Sequence, residues 1–202
     1  MAILEILKYP DPRLRKKCQP VDKVTPELQQ LAKDMLETMY DAKGIGLAAA
    51  QVNAQVRLVV IDIRPKENGR YNIDELTELE RLAPMPFIIF NPEIVGKDGK
   101  TTYDEGCLSV PTYFETVERA KEVEIKGLDI QGKEFTLKMD GLLAICIQHE
   151  IDHLDGKLFI DRLTTVRGMR IKAKIKKYGY PDPSVEADDD AEGDKEKQEV
   201  RL

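Results

Sequence analysis

An early set of apolar residues recurs at helical spacing, three or four positions apart: Leu28, Leu31, Met35 and Met39. Thr25 and Pro26 precede this set, and they are residue types favoured at the N-cap and the first position of a helix. Gly44 follows it, as expected where a helix stops. The pattern predicts an amphipathic helix of about 18 residues between Thr25 and Gly44.

Two later runs are rich in β-branched and aromatic residues. Residues 56–63 (VRLVVIDI) and 87–91 (FIIFN) have prolines just after the first run and just before the second. Both are predicted to be strands. Residues 66–81 between them are polar and charged, so we expect an excursion on the surface with one or two helical turns around Leu76 and Leu79.

The second half of the chain changes from strand to helix. Residues 117–139 alternate between apolar and polar on both sides of the turn sequence 129–132 (DIQG), which predicts a hairpin. Residues 141–154 are too apolar and too long for a strand and predict a buried helix. The order of elements predicts an α+β fold with short mixed or antiparallel strands around this central helix, followed by a C-terminal helix.

Length and composition suit one folded domain. The chain has 202 residues, 42% of them hydrophobic, and no apolar run of about 18 residues or more that could span a membrane. Its N-terminus lacks the features of an export signal. Three cysteines are an odd number and too few for a disulfide framework, which suggests a reducing compartment. We therefore expect a cytoplasmic protein that does not contact membranes.

Charge is distributed unevenly toward the C-terminus. Residues 181–202 contain nine acidic and three basic residues, which accounts for the whole net charge of −6. We expect this tail to be disordered and residues 1–180 to form the domain. Residues 162–177 contain seven basic residues and no acidic one, which predicts a basic helix that is either simply solvated or a contact for an anionic partner such as RNA.

The two histidines of the chain lie within five residues. His149 and His153 are separated by one helical turn, and Glu150 follows the first of them directly. On a helix both imidazoles can reach one cation, while the glutamate lies beside any water bound to it. The motif therefore predicts a catalytic metal site, rather than two histidines buried for packing alone.

The third metal ligand is less obvious. The long zincin pattern needs a histidine at the position that Phe159 occupies, so that subclass is excluded. A downstream carboxylate is formally available, but the segment after Asp161 is basic. A cysteine is the better candidate.

The three cysteines differ in their surroundings. Cys146 lies about 10 Å along the same helix from His153, which favours a role in the core. Cys18, among basic residues that could lower its pKa, is expected to be an incidental, half-exposed thiol. Cys107 follows a glycine that permits close backbone approach, so it is preferred as the ligand.

A small-residue segment, Gly44 to Gln51 (GIGLAAAQ), follows the first predicted helix. By itself it could merely let two elements pack closely. It is not a dinucleotide-binding loop, because it follows a helix rather than a strand and lacks the required glycine spacing.

Three segments together resemble the motifs of the peptide deformylase family: residues 44–51 (GIGLAAAQ), 105–109 (EGCLS) and 148–153 (QHEIDH). The resemblance covers about residues 3–178. It implies a compact α+β metalloenzyme that removes the N-formyl group from the N-terminal methionine of new polypeptides and releases formate. An HExxH metallopeptidase and a noncatalytic metal-binding module remain as alternatives.

The resemblance also implies roles for individual residues. The metal ligands would be Cys107, His149 and His153, and the ion would be Fe2+, with Zn2+, Ni2+ or Co2+ as substitutes. Glu150 would be the general acid and base. The Gln51 side chain and the Leu108 backbone N–H would bind the developing oxyanion. The remaining candidates would form the pocket for the methionine side chain or lie near the backbone of the bound peptide: Ile45, Gly46, Glu105, Gly106, Ile145 and Cys146.

Some features depart from the family pattern or extend it. The segment from Arg64 to Pro86 is longer than in compact members, and Phe114 stands where many members have an arginine near the substrate backbone. Glu105 and Arg119 match an internal ion pair. As partners we expect formyl-methionyl peptides, nascent chains and the ribosome, which the basic helix would contact, and we expect a monomer.

Overall fold

The computed structural model describes residues 2–64, 66, 67, 70, 71 and 74–180. The helices are α1 (Pro26–Asp41), α2 (Glu78–Leu82), α3 (Gly141–Leu154) and α4 (Thr165–Tyr178), with short 3-10 helices at Pro12–Arg15, Ala49–Val52 and Phe159–Asp161. The strands are β1 (Gly46–Ala48), β2 (Leu58–Ile61), β3 (Lys66–Glu67), β4 (Arg70–Tyr71), β5 (Phe87–Asp98), β6 (Thr101–Cys107), β7 (Val110–Arg119), β8 (Glu122–Leu128) and β9 (Glu134–Met139).

The central sheet has five antiparallel strands in the order β1-β2-β5-β8-β9. β6 and β7 form a separate hairpin, and β3 pairs with β4. The mixture of helices and antiparallel strands confirms the predicted α+β class.

Strand β2 is buried on both sides because a helix covers each face of the sheet. Its alternate residues Val59 and Ile61 belong to the core cluster that contains most of α3. Leu58 and Val60 belong to the cluster that contains the apolar face of α1. This double burial explains why β2 reads as a continuous apolar run instead of an alternating one.

A third apolar cluster joins the β6–β7 hairpin to the C-terminal part of the described chain. Cys107, Val110 and Val117 from the hairpin pack with Phe159 and with Ile171 of α4, among others. The end of β6 is thereby held against the middle of the molecule, beside α3.

Helix α1 matches its prediction closely. Thr25 is the N-cap, its side chain accepts a hydrogen bond from the Leu28 N–H, and Pro26 is the first helical residue. Helix α3 also covers residues 141–154 as predicted, and its buried residues run from Leu143 to Leu154 without interruption. The turn at 129–132 joins β8 to β9, but residues 117–119 belong to β7, so the predicted hairpin began too early.

The segment between β2 and β5 is more than a surface excursion. Its helical turn lies at Glu78–Leu82, and Leu76 and Ala83 are buried in the same cluster as α3. Charged and polar residues dominate this segment, so its few inward-facing side chains give little periodic signal.

The expected exposure of Cys18 was wrong. Cys18 is not half-exposed: its exposed fraction is 1%, and burial raises the pKa of its thiol to about 11 despite the nearby Arg57. Helix α4 packs through Ile171 and Ile175, and Leu163 just before it packs against the same cluster, while the Val166 and Met169 side chains are 74% and 59% exposed.

None of the helices in the described part of the chain is long and apolar enough for a membrane span. The acidic tail at 181–202, predicted to be disordered, lies outside the described residues.

Candidate metal centre and active site

Three buried side chains bring one potential metal-ligand atom each to a common point. Cys107 ends β6, where the register with β7 shifts, and His149 and His153 lie one turn apart on α3. His153 Nε2 is 3.2 Å from His149 Nε2 and 3.2 Å from Cys107 Sγ. All three ligand atoms lie within 4.8 Å of one another. Among the residues that the structure describes, this is the group with the geometry to hold a metal ion.

The donor set fits a transition-metal ion. Ligands about 2.0–2.3 Å from a tetrahedral ion lie about 3.4–3.6 Å apart, within a few tenths of an ångström of the two 3.2 Å distances from His153 Nε2. Two imidazoles and one sulfur leave a fourth position for water or substrate, as in catalytic sites. Cys18 and Cys146 do not belong to the cluster.

The pKa values of the two histidines are shifted in opposite directions. Burial opposes a charge on His149, but its contacts with Cys107 and Glu105 outweigh burial and raise its pKa. Burial and the adjacent His149 lower the pKa of His153. The negative groups that favour a proton on His149 would equally favour a metal cation between the ligands.

Behind His149 runs a chain of charged residues that is buried from Glu105 to Asp152 and reaches the surface at Arg162. Glu105 Oε2 lies 2.8 Å from His149 Nδ1, which leaves Nε2 directed toward the other ligand atoms. Arg119 donates to both oxygens of Glu105, at 2.6 and 2.9 Å, so the expected ion pair is confirmed. Arg119 also donates to Asp152 at 2.6 Å, and Arg162 donates to Asp152 as well.

This chain of contacts keeps the two acids ionised although Glu105 and Asp152 are buried. Burial opposes charge on Glu105, but hydrogen bonds from Arg119 and with His149 lower its pKa. Burial likewise opposes charge on Asp152, and contacts with Arg162 and Arg119 lower its pKa. Asp152 and Arg162 were not among the candidate residues, although Asp152 lies inside the HEIDH motif.

Glu150 has a different environment from the other acids. Its carboxylate is fully buried, and neither oxygen has a hydrogen-bond partner. Burial raises its pKa to about 7. It faces Gly46, where an added Cβ would lie only 2.5 Å from Glu150 Oε1. A buried, unpartnered carboxyl group beside a metal-ligand cluster is an arrangement suited to proton transfer.

Gln51 is held with its side-chain amide N–H groups toward the metal-ligand cluster. Its Oε1 accepts a hydrogen bond from the Ala48 backbone N–H at 2.8 Å, so Nε2 is oriented the other way. Nε2 lies 3.8 Å from Cys107 Sγ and 3.2 Å from Ser109 Oγ. Ser109 was missed in the sequence, where only its place in EGCLS marked it. Leu108 lies between it and Cys107, in the turn between β6 and β7.

The residues assigned to an apolar pocket lie together beside Glu150. Ile145 and Cys146 belong to the α3 core cluster, and Ile45 packs against it. Cys146 Sγ is 3.9 Å from the Ile45 carbonyl oxygen. On the opposite side, the ring of Phe114 lies so close to Gly106 that an added Cβ would come within 2.4 Å of it.

The chain is similar to known proteins over most of its length. The sequence profile of the family described as "Polypeptide deformylase" matches residues 3–168. A protein of Alkalilimnicola ehrlichii described as peptide deformylase is 48% identical over 177 residues, which cover 88% of this chain and 91% of that protein.

Solved structures are similar over the same extent. A peptide deformylase from Legionella pneumophila is 46% identical with a TM-score of 0.73, covering 88% of this chain and 95% of that one. A peptide deformylase from Ehrlichia chaffeensis in complex with actinonin is 39% identical with a TM-score of 0.77, covering 88% of this chain and 98% of that one.

Proposed function

Since the chain belongs to the polypeptide deformylase family, it is a metal-dependent hydrolase that removes N-formyl groups from nascent polypeptides, and we propose which residues perform each step. One observation supports the assignment most: the buried, unpartnered Glu150 lies on the same helix as two of three clustered ligand atoms. Packing alone explains neither Glu150 nor the three ligand side chains, because burying their polar atoms costs free energy.

Cys107, His149 and His153 hold the ion in this proposal. When bound, the ion supplies Lewis-acid chemistry, because it polarises the formyl oxygen and makes water nucleophilic near neutral pH. Thiolate and imidazole ligands alone would suit zinc as well as iron. We propose Fe2+ on the family resemblance, and metal analysis of protein purified without oxygen tests that identity.

Glu150 moves the protons. It accepts a proton from the water that attacks the formyl carbon, and it delivers a proton to the amine that leaves as the C–N bond breaks. The products are formate and a free N-terminal methionine. A pKa of about 7 suits both roles, since the group can hold and release a proton near neutral pH.

Gln51 and Leu108 stabilise the negative charge that develops on the formyl oxygen. The fixed orientation of the Gln51 amide, set by the Ala48 N–H, means that no reorganisation is needed as charge appears. The Leu108 backbone N–H is the second donor in this proposal.

The methionine side chain lies against Ile45, Ile145 and Cys146. Support comes from the apolar cluster that these residues share beside Glu150. The peptide backbone runs along Glu105 and Gly106, and formyl-Met peptides should react much faster than formyl-Asp peptides.

The test of function is an assay of the iron-loaded protein without oxygen on formyl-Met, acetyl-Met and unblocked peptides. Strong preference for formyl-Met supports the proposal, and cleavage of internal peptide bonds would favour a metallopeptidase instead. Glu150→Gln should keep its metal and lose nearly all turnover. Loss of metal in that variant would make Glu150 a ligand and contradict its role.

We further propose that α4 contacts ribosomal RNA and that the enzyme acts as a cytoplasmic monomer. Support comes from α4, whose buried face uses Ile171 and Ile175 while Arg167, Arg170 and Lys174 are exposed. Truncation after Tyr180 removes the acidic tail, so ribosome binding should tighten and become more sensitive to salt. Co-sedimentation with ribosomes at two salt concentrations tests this, and equal, salt-independent recovery of both proteins would contradict it. Light scattering tests the monomer.

A further inference from the structure

One carboxylate from the segment between β2 and β5 caps the helix that carries the catalytic motif. Glu80 Oε2 accepts a hydrogen bond from the backbone N–H of Thr77, the N-cap of α2, at 2.9 Å. Glu80 Oε1 accepts one from the Leu143 N–H, in the first turn of α3, at 3.1 Å. The same side chain therefore serves the N-termini of two helices.

Helix α3 does not cap itself. Its N-cap residue, Asp140, makes no side-chain hydrogen bond to the first turn. Instead the Asp140 carboxylate accepts a hydrogen bond from the Thr77 hydroxyl. The first N–H groups of a helix need partners from outside its backbone ladder, and here a segment 63 residues earlier supplies one.

Burial makes Glu80 unusual for a surface segment. Its exposed fraction is 4%, and it has no lysine or arginine partner among the described residues. A buried carboxylate needs compensation, which the backbone N–H groups and the positive end of α3 provide. The absence of a side chain at Gly141 also leaves room for the Glu80 carboxylate. Gly141 has φ +57, and a Cβ there would lie 2.5 Å from Glu80 Oε1.

The capped turn is continuous with the apolar wall beside the active site. Ile145 and Cys146 follow Leu143 within one turn, and Leu76 and Ala83, on either side of α2, are buried in the same cluster as that wall. We propose that Glu80 is a positioning residue, which fixes the first turn of α3 and thereby the wall that receives the substrate methionine. The proposal rests on the function proposed above.

Its consequence is a change in substrate binding without an equal change in turnover. The two histidine ligands and Glu150 lie further along α3, the third ligand lies on β6, and His149 is held by its own contact with Glu105. For Glu80→Ala we expect KM for a formyl-Met peptide to rise about fivefold or more while kcat stays within about twofold. The preference for formyl-Met over formyl-Ala should fall as well, since the looser wall discriminates side chains less.

Matched variants separate this role from simple stability. Glu80→Gln keeps an oxygen for the Leu143 N–H, so KM and side-chain preference should return toward wild-type values. Glu78→Ala removes an exposed acid of α2 and should change neither. Kinetics are measured at a temperature where circular dichroism shows every variant fully folded.

A readout besides activity is amide hydrogen exchange by mass spectrometry. In Glu80→Ala the amides of residues 142–146 should exchange about tenfold faster or more, and those of α1 should not change. If Glu80→Ala does not fold, Glu80→Asp takes its place, because its shorter side chain keeps the charge but cannot reach Leu143 in the same way.

The outcomes are distinct. Lower thermal stability with unchanged KM, side-chain preference and local exchange would overturn the positioning role. A wild-type protein without deformylase activity would overturn the proposed function instead, while the exchange experiment would still report on the cap. Faster exchange together with a raised KM supports the proposal.

Discussion

Replacement of Gly46 by alanine should disable Glu150 without removing the metal. The added methyl group would lie 2.5 Å from Glu150 Oε1 and 2.7 Å from Cys146 Sγ. Non-bonded atoms rest about 3.5 Å apart, so the carboxylate must move by about 1 Å. Gly46 does not have a positive φ, so the substitution adds steric contact and no backbone strain.

The size of the effect follows from that displacement. Glu150 is fully buried, and β1 is paired with β2 under the apolar face of α1. Neither the Glu150 carboxylate nor the strand that contains Gly46 can therefore move freely. A misplacement of about 1 Å in a reacting geometry can cost about 100-fold in rate, which is about 3 kcal/mol of activation free energy. We therefore expect kcat on a formyl-Met peptide to fall about 100-fold.

The assay compares kcat, bound metal and thermal stability in Gly46→Ala and in a control, Gly96→Ala. In the control the nearest atom to the new Cβ is Glu124 Cβ at 3.3 Å, remote from the metal ligands. The control should keep its activity. Retention of more than half of the wild-type kcat by Gly46→Ala, with metal bound, would refute the argument that Glu150 must stay where Gly46 allows it.

Other predictions concern the buried charges and the cysteines. Arg119→Met removes one partner from each of two buried carboxylates, Glu105 and Asp152, and should lower the free energy of unfolding by about 3–5 kcal/mol; chemical denaturation measures it, and a loss below about 1 kcal/mol would contradict the role of the ion pairs. Cys18 should resist iodoacetamide at pH 8 in the folded protein, because its thiol is buried and the pKa of about 11 keeps it protonated until the pH approaches that value; rapid labelling, read by mass spectrometry, would contradict this. Cys107→Ser should lose metal and activity together, whereas Cys146→Ser should keep its metal and lose stability; elemental analysis distinguishes them. Chelation of the metal should lower the melting temperature, and added metal should restore it; an unchanged melting temperature would mean that the ion does not stabilise the fold.

Local patterns predicted the elements whose burial is periodic or continuous. The α1 cap and its apolar spacing, and the unbroken apolar run of α3, each correspond to how those helices pack. The β6–β7 hairpin was not predicted as strands. Its first strand reads TTYDEGC, and the three residues that it buries are Glu105, Gly106 and Cys107. Its pairing therefore depends on β7 and on contacts distant in sequence rather than on a run of large apolar residues of its own.

The candidate site was predictable to the extent that its residues form short motifs. The spacing of His149 and His153 predicts a shared cation without any structure, because helix geometry alone relates them. Contacts between distant segments could not be predicted from the sequence. No local signal links Arg162 to Asp152, or Glu80 to Leu143, because each pair depends on how separate elements pack.

The charges buried around the site explain why a divalent cation belongs there. Glu105 and Asp152 carry two negative charges, and Arg119 and Arg162 offset them through direct contacts. That set is neutral without any metal. Metal binding requires Cys107 as a thiolate, and Glu150 must be ionised before it can accept a proton. Two further negative charges therefore remain in a buried site where neither Glu150 oxygen has a hydrogen-bond partner among the described residues. A divalent ion neutralises both. Without it, the positive charge that would favour an ionised Glu150 comes from a proton on His149, whose pKa is raised by its contacts with Cys107 and Glu105. The ion therefore does more than activate water: it allows the general base to be ionised in a place where burial alone would hold its proton.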